Sequence, residues 1–349
     1  MGLTQGEKAT IEKAKNGGSS DLAVDLNDGV CAYLLALAVR DLTLAVDGVP
    51  PPALDFFSTD PEKLRLDGLD FNASVTKAVE KNRDVVTYFA CLATLHKARL
   101  KYARIVAHQP IPTMDQVGPR GLLQYGTMTP RALTGFLLWR KWMYDIDNRA
   151  AQETGYVFEP IIAHCIGGTP EAAGRSPIKR SGDRSKGRQV DCIARKRAYE
   201  FKLRVTIAAS GQGRWKEELS FPLDCQASGF APVLVVFDPT TNEKLTELQR
   251  AFLAAGGEAH VGDAAWRHLD EQAGATMATF LNKYVRDPLK ALLAETPGGD
   301  LPAFALSMTE SELTVTVGTE TVRLPRAAPN DPEGRDSIPE DVTDDMPGP

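Results

Sequence analysis

The sequence predicts an α/β fold in which a central mixed sheet is flanked by helices and preceded by a helical N-terminal region. Three observations lead there. Residues 187–205, GRQVDCIARKRAYEFKLRV, hold two alternating apolar runs, 189–194 and 198–206, joined by the basic turn Arg195-Lys196-Arg197. That is the pattern of two antiparallel strands. Residues 232–238, PVLVVFD, are continuously apolar, as in a strand covered on both faces. Beyond them an amphipathic helix over 243–255, ending at Gly256-Gly257, is followed by a short run at 258–261 and a helix from Asp263, so strand and helix alternate.

In chain order, residues 1–20 read as a helical lead-in ending at Gly17-Gly18, and 21–46, dense in Leu, Ala and Val, as one or two buried helices. Residues 48–57, with Pro50-Pro51-Pro52, form a connector. The longest helical pattern runs over 72–109, where Val75, Val79, Val86, Phe89, Leu92 and Leu95 make a core-facing stripe. Lys97, Arg99, Lys101 and Arg104 at its end suit either a nucleic-acid backbone or the negative end of the helix dipole. Residues 111–129 are rich in Pro and Gly and predict a crossing loop. Pro130 after Thr129 then starts a helix through Trp139, Trp142 and Tyr144 towards Asn148, with the tryptophans in the core rather than as stacking platforms. A second helix, 149–165, turns Phe158, Ile161 and Ile162 inward and carries Glu159 near its middle.

Residues 169–188, TPEAAGRSPIKRSGDRSKGR, have almost no apolar side chains and predict a flexible basic loop that orders on a charged partner. Residues 208–215 are turn-rich, and 216–228 read as a helix broken by Pro222, its Glu217, Glu218 and Asp224 set either beside the site or facing water. A further helix covers 275–294, interrupted before Pro288. Residues 304–307, 312–317 and 321–324 alternate like a terminal hairpin across Gly318, and the proline-rich acidic tail predicts disorder. The resulting division is a helical region at 1–110 for dimerisation or target reading, a core at 111–325 and a tail at 326–349.

At 349 residues and 43% hydrophobic content the chain can bury a sizeable core. No apolar run nears the roughly 20 residues of a membrane helix, and the opening MGLTQGEKATIEKAK lacks a signal-peptide pattern, which predicts a soluble cytoplasmic protein. The five cysteines, Cys31, Cys91, Cys165, Cys192 and Cys225, are scattered without a Cys-x-x-Cys pair or a nearby ligand-spaced His, so they predict free buried thiols rather than a zinc site or disulfides. The net charge of −6 resides in the tail, where seven acids face one arginine over 327–349. Residues 169–204 instead carry eleven Lys or Arg against four acids, a basic stripe that attracts a polyphosphate.

The chemistry lies in the predicted hairpin. Along its second strand Tyr199, Phe201, Leu203 and Val205 point one way and Glu200, Lys202 and Arg204 the other, so Asp191 can converge with Glu200 and Lys202. A hard cation such as Mg²⁺ prefers oxygen ligands and needs only one or two carboxylates plus a substrate phosphate. Asp191 and Glu200, with the backbone carbonyl of Phe201, supply that set. Lys202 is placed to orient a nucleophile or offset developing charge. A bare Glu-x-Lys is common on solvated strands; the preceding Asp strand and the upstream Glu159 make this one a site.

The order Gly155-Tyr-Val-Phe-Glu159, Gln189-Val-Asp191-Cys-Ile, Tyr199-Glu200-Phe-Lys202 resembles the PD-(D/E)XK nuclease superfamily, and within it the type II restriction endonucleases. The likeness covers residues 152–239, with Val190 where many members have proline. Residues 200–238 are similar to ApaLI-like restriction enzymes. The resemblance implies that Asp191 and Glu200 bind metal, that Lys202 is the catalytic lysine and that Glu159 is an accessory acid. It further implies Mg²⁺-dependent cleavage of double-stranded DNA by a homodimer at a palindrome, GTGCAC in the ApaLI-like case, and a cognate DNA methyltransferase in the same system that is not a physical partner. Lys179, Arg180, Arg184, Lys186 and Arg188 of the basic loop, with Gln212, Arg214 and Lys216, are the expected DNA contacts, since Arg reads guanine and Gln reads adenine by paired hydrogen bonds. Two other readings remain: a structure-specific or repair nuclease of the same fold, and a catalytically silent DNA-binding protein.

Overall fold

A computed structural model describes residues 2–16, 24–203, 212–295 and 299–327. It begins with a layer of helices, α1 (Gln5–Lys15), α2 (Asp28–Asp41), α3 (Phe71–Lys81) and α4 (Val85–His108). α1 starts at a reciprocal cap: Thr4 Oγ1 accepts from the Glu7 backbone N–H, and Glu7 accepts from the N–H of Thr4 at 2.7 Å. α2 is buried on all sides over residues 31–39, so it is the middle of the layer rather than an amphipathic surface helix. The pattern expected as one helix over 72–109 is two. Asn82 adopts an extended conformation (φ −151°) and its side chain accepts from the N–H of Asp84 at 2.9 Å, which ends α3 and restarts the chain as α4.

Two further expectations are corrected here. The predicted loop at 111–129 contains a short helix, α5 (Met114–Gly121), where the Gln116 side chain returns to the Thr113 N–H at 3.0 Å. The two helices expected over 130–165 are a single 36-residue helix, α6 (Pro130–Cys165), because no breaker stands at the expected join near Asn148 and Arg149. Thr129 caps it by accepting from the Ala132 N–H at 3.3 Å, and Pro130 occupies its first turn, where a missing N–H costs nothing. Trp142 is buried on α6 and meets Trp139 edge-on, ring centres 5.7 Å apart.

Residues 169–188 form β1 (Thr169–Glu171), β2 (Lys179–Arg180) and β3 (Asp183–Gly187), not an unstructured loop. The reason is α7 (Gln212–Ala227), which runs through Pro222 without breaking. Asp224 on it accepts from the Ser181 N–H at 2.7 Å, Ser228 just beyond it accepts from the Lys179 N–H at 3.0 Å, and Ile178 is fully buried. These anchors satisfy backbone groups that composition alone leaves to solvent.

The central sheet has the order β1-β4-β5-β6-β7, with β4 (Val190–Ala194), β5 (Arg197–Lys202), β6 (Ala231–Val236) and β7 (Glu258–Val261). β1, β4 and β5 are antiparallel neighbours, whereas β5, β6 and β7 run parallel, so the sheet is mixed as expected. The hairpin turn is Arg195-Lys196, with Arg195 in the left-handed region at φ 58°. Gly168 enters β1 so close to β4 that a Cβ there would collide with Cys192 Sγ. Val233, Leu234, Val235 and Val236 are all fully buried, because helices cover both faces. α7 and α8 (Glu243–Ala254) close one face through Phe221, Leu245, Leu248 and Phe252. α6, α9 (Asp263–Leu281) and the N-terminal layer close the other in one continuous core.

α9 kinks at Gly274 (φ 68°) and passes through a wide turn, Asn282–Arg286, into α10 (Asp287–Ala294), with Pro288 in that helix's first turn. The terminal hairpin is a three-stranded antiparallel sheet, β8 (Phe304–Met308), β9 (Glu312–Val317) and β10 (Glu320–Pro325), turning at Gly318. The five cysteines are free and buried. Among the described residues no helix is long and apolar enough to cross a membrane. The tail expected to be disordered lies outside the described residues from 328 on.

Asp41 fastens the helical layer to the C-terminal part. Its buried carboxylate accepts from Tyr88 Oη on α4 at 3.0 Å, from Tyr284 Oη at 2.6 Å and from Lys283 Nζ at 2.7 Å. Arg40 and Lys283 keep nearly half of their side-chain surface in water, so losing their partner costs them little. The cost of Asp41→Ala falls on the two buried hydroxyls, at about 1–3 kcal/mol each. Urea denaturation should therefore show a loss of roughly 2–4 kcal/mol for Asp41→Ala and about half of that for Tyr88→Phe; a change under about 0.5 kcal/mol for Asp41→Ala contradicts this role.

Candidate active site

The site forms where β4 and β5 part. Their ladder pairs Cys192 with Tyr199, Ile193 with Ala198 and Ala194 with Arg197. On the other edge of β4, Thr169 pairs with Ile193 and Glu171 with Val190, so two steps along β1 match three along β4. This β-bulge falls at Asp191 and Cys192, and a bulge re-aims the side chain it carries. Asp191 turns its carboxylate onto the next strand, where Oδ2 accepts the Phe201 N–H at 2.8 Å.

β5 supplies the rest through its alternation. Tyr199 and Phe201 lie in the core on the α6 and α9 side, with stacked rings 5.7 Å apart. Glu200 and Lys202 pair with Leu234 and Val236 and so share the face covered by α7 and α8. Lys202 Nζ lies 3.4 Å from Glu200 Oε1 and 3.3 Å from Glu218 Oε1 on α7. Glu218, for which the sequence allowed either a place here or in water, is thus part of the site, and its Oε2 is buried without a hydrogen-bond partner among the described residues.

The electrostatics bind these groups into one unit. Asp191 keeps some exposed surface, but its carboxylate is enclosed. Burial, then Glu200, then Glu159 push its pKa well above the usual carboxylate range, against the Phe201 N–H and Lys202. Glu159 on α6 is raised as well, by burial and then by Glu200. For Lys202, burial works to lower the pKa, yet Glu200, Glu218 and Asp191 outweigh it and hold the amine protonated more firmly than usual. Lys202 is thus paired with two carboxylates, Glu200 and Glu218, and its charge is felt by two more, Asp191 and Glu159. Carboxylates outnumber cations in this group, and oxygen donors are what a hard divalent cation takes, so Asp191, Glu200 and Glu159 fit an Mg²⁺ ion by donor type, while their oxygens as they stand do not all lie within 4.8 Å of one another.

The expected DNA contacts lie in two places. Arg180, Lys186 and Arg188 line an open cleft of about 920 Å³ with Ser181, Asp183 and Ser220. α7 joins this cleft to the site, since Glu218 faces Lys202 while Ser220 and Asp224 face the cleft. Arg180 pairs with Glu217 at 2.6 Å, Lys186 lies 3.3 Å from Asp183, and Arg184 donates to the Ala227 carbonyl at 3.2 Å. Lys179 is partly buried on β2 and Lys216 is exposed on α7; the side chains of Gln212 and Arg214 lie outside the described residues. Arg188 departs from its expected place. Its side chain is only 9% exposed and is fixed to Asp224 Oδ2 at 2.6 Å, to Ser220 Oγ at 2.9 Å and to the Glu217 carbonyl, so it ties the basic segment to α7 instead of facing outward. A third polar cluster, Glu258, His260 and His268, was not foreseen from the sequence, although Glu-x-His on a strand with a His in the next helix was a readable signal.

Comparison with known proteins identifies a family. Residues 57–286 match the model of the ApaLI-like restriction endonucleases, a span that includes α3 to α9, every strand of the central sheet and all the site residues above. The chain is 52% identical over 250 residues to the type II restriction enzyme ApaLI of Acetobacter pasteurianus, an alignment covering 69% of this chain and 65% of that enzyme. No solved structure gives a significant match. With about two-thirds of its length matched by the family model, and with its clustered acids and lysine inside that span, the chain belongs to the ApaLI-like restriction endonuclease family.

Proposed function

We propose that the chain is a type II restriction endonuclease that hydrolyses phosphodiester bonds of double-stranded DNA at a short palindromic site with Mg²⁺. The observation that carries this is the electrostatic coupling of Asp191, Glu200 and Glu159, with Lys202 3.4 Å from Glu200, in a chain of the ApaLI-like family. The mixed sheet with its antiparallel hairpin and parallel β5-β6-β7 strands supports a PD-(D/E)XK core. Asp191 and Glu200 would hold the metal, with the Phe201 carbonyl and Glu159 as further oxygens; the bound ion supplies charge neutralisation and a water of lowered pKa. The chain's own groups do the rest. The Phe201 N–H holds Asp191 in place, Glu218 steadies the Lys202 ammonium, and Lys202 offsets charge developing on the phosphate or orients the attacking water.

Arg180, Arg184, Lys179 and Lys186, with Lys216 on the neighbouring helix, support docking of the DNA backbone along the cleft, their present intramolecular partners giving way to phosphate. Gln212 and Arg214 are the residue types for base reading at the start of α7. A homodimer sets one site against each strand of a two-fold target. Leu122, Leu123, Tyr125 and Tyr144, all at least 60% exposed around α5 and α6, suit the surface between two copies.

Plasmid DNA containing GTGCAC, incubated with the protein and Mg²⁺, should give discrete fragments. Asp191→Ala and Lys202→Ala should each slow cutting by a factor on the order of 10²–10³ or more. A smear of products would point to a structure-specific or nonspecific nuclease, and retardation without cutting to a silent binding protein. The crowded acids give a second test, by thermal melting. A carboxyl whose pKa is raised by folding holds its proton more tightly in the folded chain, so the metal-free fold loses stability as pH rises from about 4 through Asp191's raised value. Asp191→Asn removes that loss. Near neutral pH the metal-free variant should melt above wild type, and Mg²⁺ should raise the Tm of wild type far more than that of the variant; a metal-free variant melting below wild type contradicts the crowding.

A further inference from the structure

We propose that Glu258, His260 and His268 form a Zn²⁺ site, separate from the active site, that clips the edge strand of the sheet to the helix covering it. Glu258 and His260 stand two apart on β7 and therefore project from the same face. Their partners on β6 are Val233 and Val235, which belong to the core under α9. The chain turns at Gly262 and α9 brings His268 back over that face. Glu200 and Lys202 pair with Leu234 and Val236 on the opposite face, so the sheet itself lies between the two sites.

One ligand atom from each of the three residues lies within 4.8 Å of the other two. His260 Nε2 is 3.0 Å from Glu258 Oε2, and His268 Nδ1 is 3.9 Å from the same oxygen. Two donors on a tetrahedral zinc, with bonds of about 2.0–2.1 Å, lie ~3.4 Å apart. The two distances bracket that value, and the longer one exceeds a hydrogen bond. The imidazole rings lie face to face, centres 4.0 Å apart, and His268 is only 5% exposed, its Nε2 without a partner among the described residues.

The surroundings orient the carboxylate as outer partners do in zinc centres. Arg197 takes Glu258 Oε1 at 2.9 Å and reaches Gln272 Oε1 with its other nitrogen at 3.3 Å, which leaves Oε2 to the histidines. Two imidazoles and one carboxylate select a borderline ion such as Zn²⁺ over Mg²⁺ or Ca²⁺, which take oxygen sets, and three protein ligands leave a position for water. Because the ligands fall within ten residues of one another, metal binding closes a short segment and adds to the stability of the sheet edge.

The test uses the full chain, stripped with a chelator and titrated with Zn²⁺ by calorimetry in the presence of excess Mg²⁺. Wild type and the Asp191→Asn, Glu200→Gln double variant should both take up one Zn²⁺ per chain, with a rise in Tm. His260→Gln, at a partly exposed position that leaves the core intact, should bind at least 100-fold more weakly and lose the rise. Co²⁺ in place of Zn²⁺ should give visible bands of four-coordinate nitrogen and oxygen ligation. Equal Zn²⁺ affinity in wild type and His260→Gln, or thiolate charge-transfer bands that assign the metal to the cysteines, would overturn the proposal. Survival of binding in the double variant keeps this result independent of whether the chain cleaves DNA.

Discussion

Like charges held close in a water-poor pocket are the constraint on which this structure turns. Burial and the charge of Glu200 raise the proton affinity of Asp191 and Glu159, and Lys202, set between Glu200 and Glu218, is a cation that offsets them. Folding carries a cost for this crowding, since a buried carboxylate must take up a proton, find a cation or shift its neighbours. Groups of this kind persist where function needs them. In the function proposed above, a divalent cation and a phosphate are the partners that turn the cost into use.

The fold delivers each carboxylate by a different route. A bulge in β4 turns Asp191 onto the N–H of Phe201, and the two-residue period of β5 keeps Glu200 and Lys202 on one side while Tyr199 and Phe201 lock the strand from the other. α6 brings Glu159 from beneath the sheet, its position fixed by the buried Val157, Ile161 and Ile162 on either side of it. α7 adds Glu218, and the Arg188–Asp224 ion pair, almost wholly buried, holds the same helix to the basic segment leading into β4. That pair couples the cleft to the chemistry: one helix meets both.

The sequence shows the elements whose periodicity is local and misses the features that depend on distant partners. The β5 alternation, the apolar β6 and the strand-helix repetition after it follow from spacing alone, and so does the grouping of Asp191, Glu200 and Lys202. The bulge at Asp191 does not, because it is set by pairing with β1, which lies well upstream in the chain. The segment at 169–188 reads as a loop because its order comes from Asp224 and Ser228 on a distant stretch and from a single apolar side chain of its own, Ile178, too little for a period to show. Arg188 reads as a surface cation for the same reason. The joining of two helices into α6 and the splitting of another at Asn82 depend on single residues whose capping or continuing role the helical period does not reveal. The Glu258, His260 and His268 cluster is invisible to a zinc reading that starts from the cysteines.

Diffraction from crystals of the protein soaked in Mn²⁺, collected at the metal's absorption edge, tests the central claim most directly. The crowding of carboxylates predicts an anomalous peak coordinated by Asp191 and Glu200, with Lys202 beside it and outside its coordination shell. A peak that avoids both acids, or the absence of any peak beside them, would contradict it.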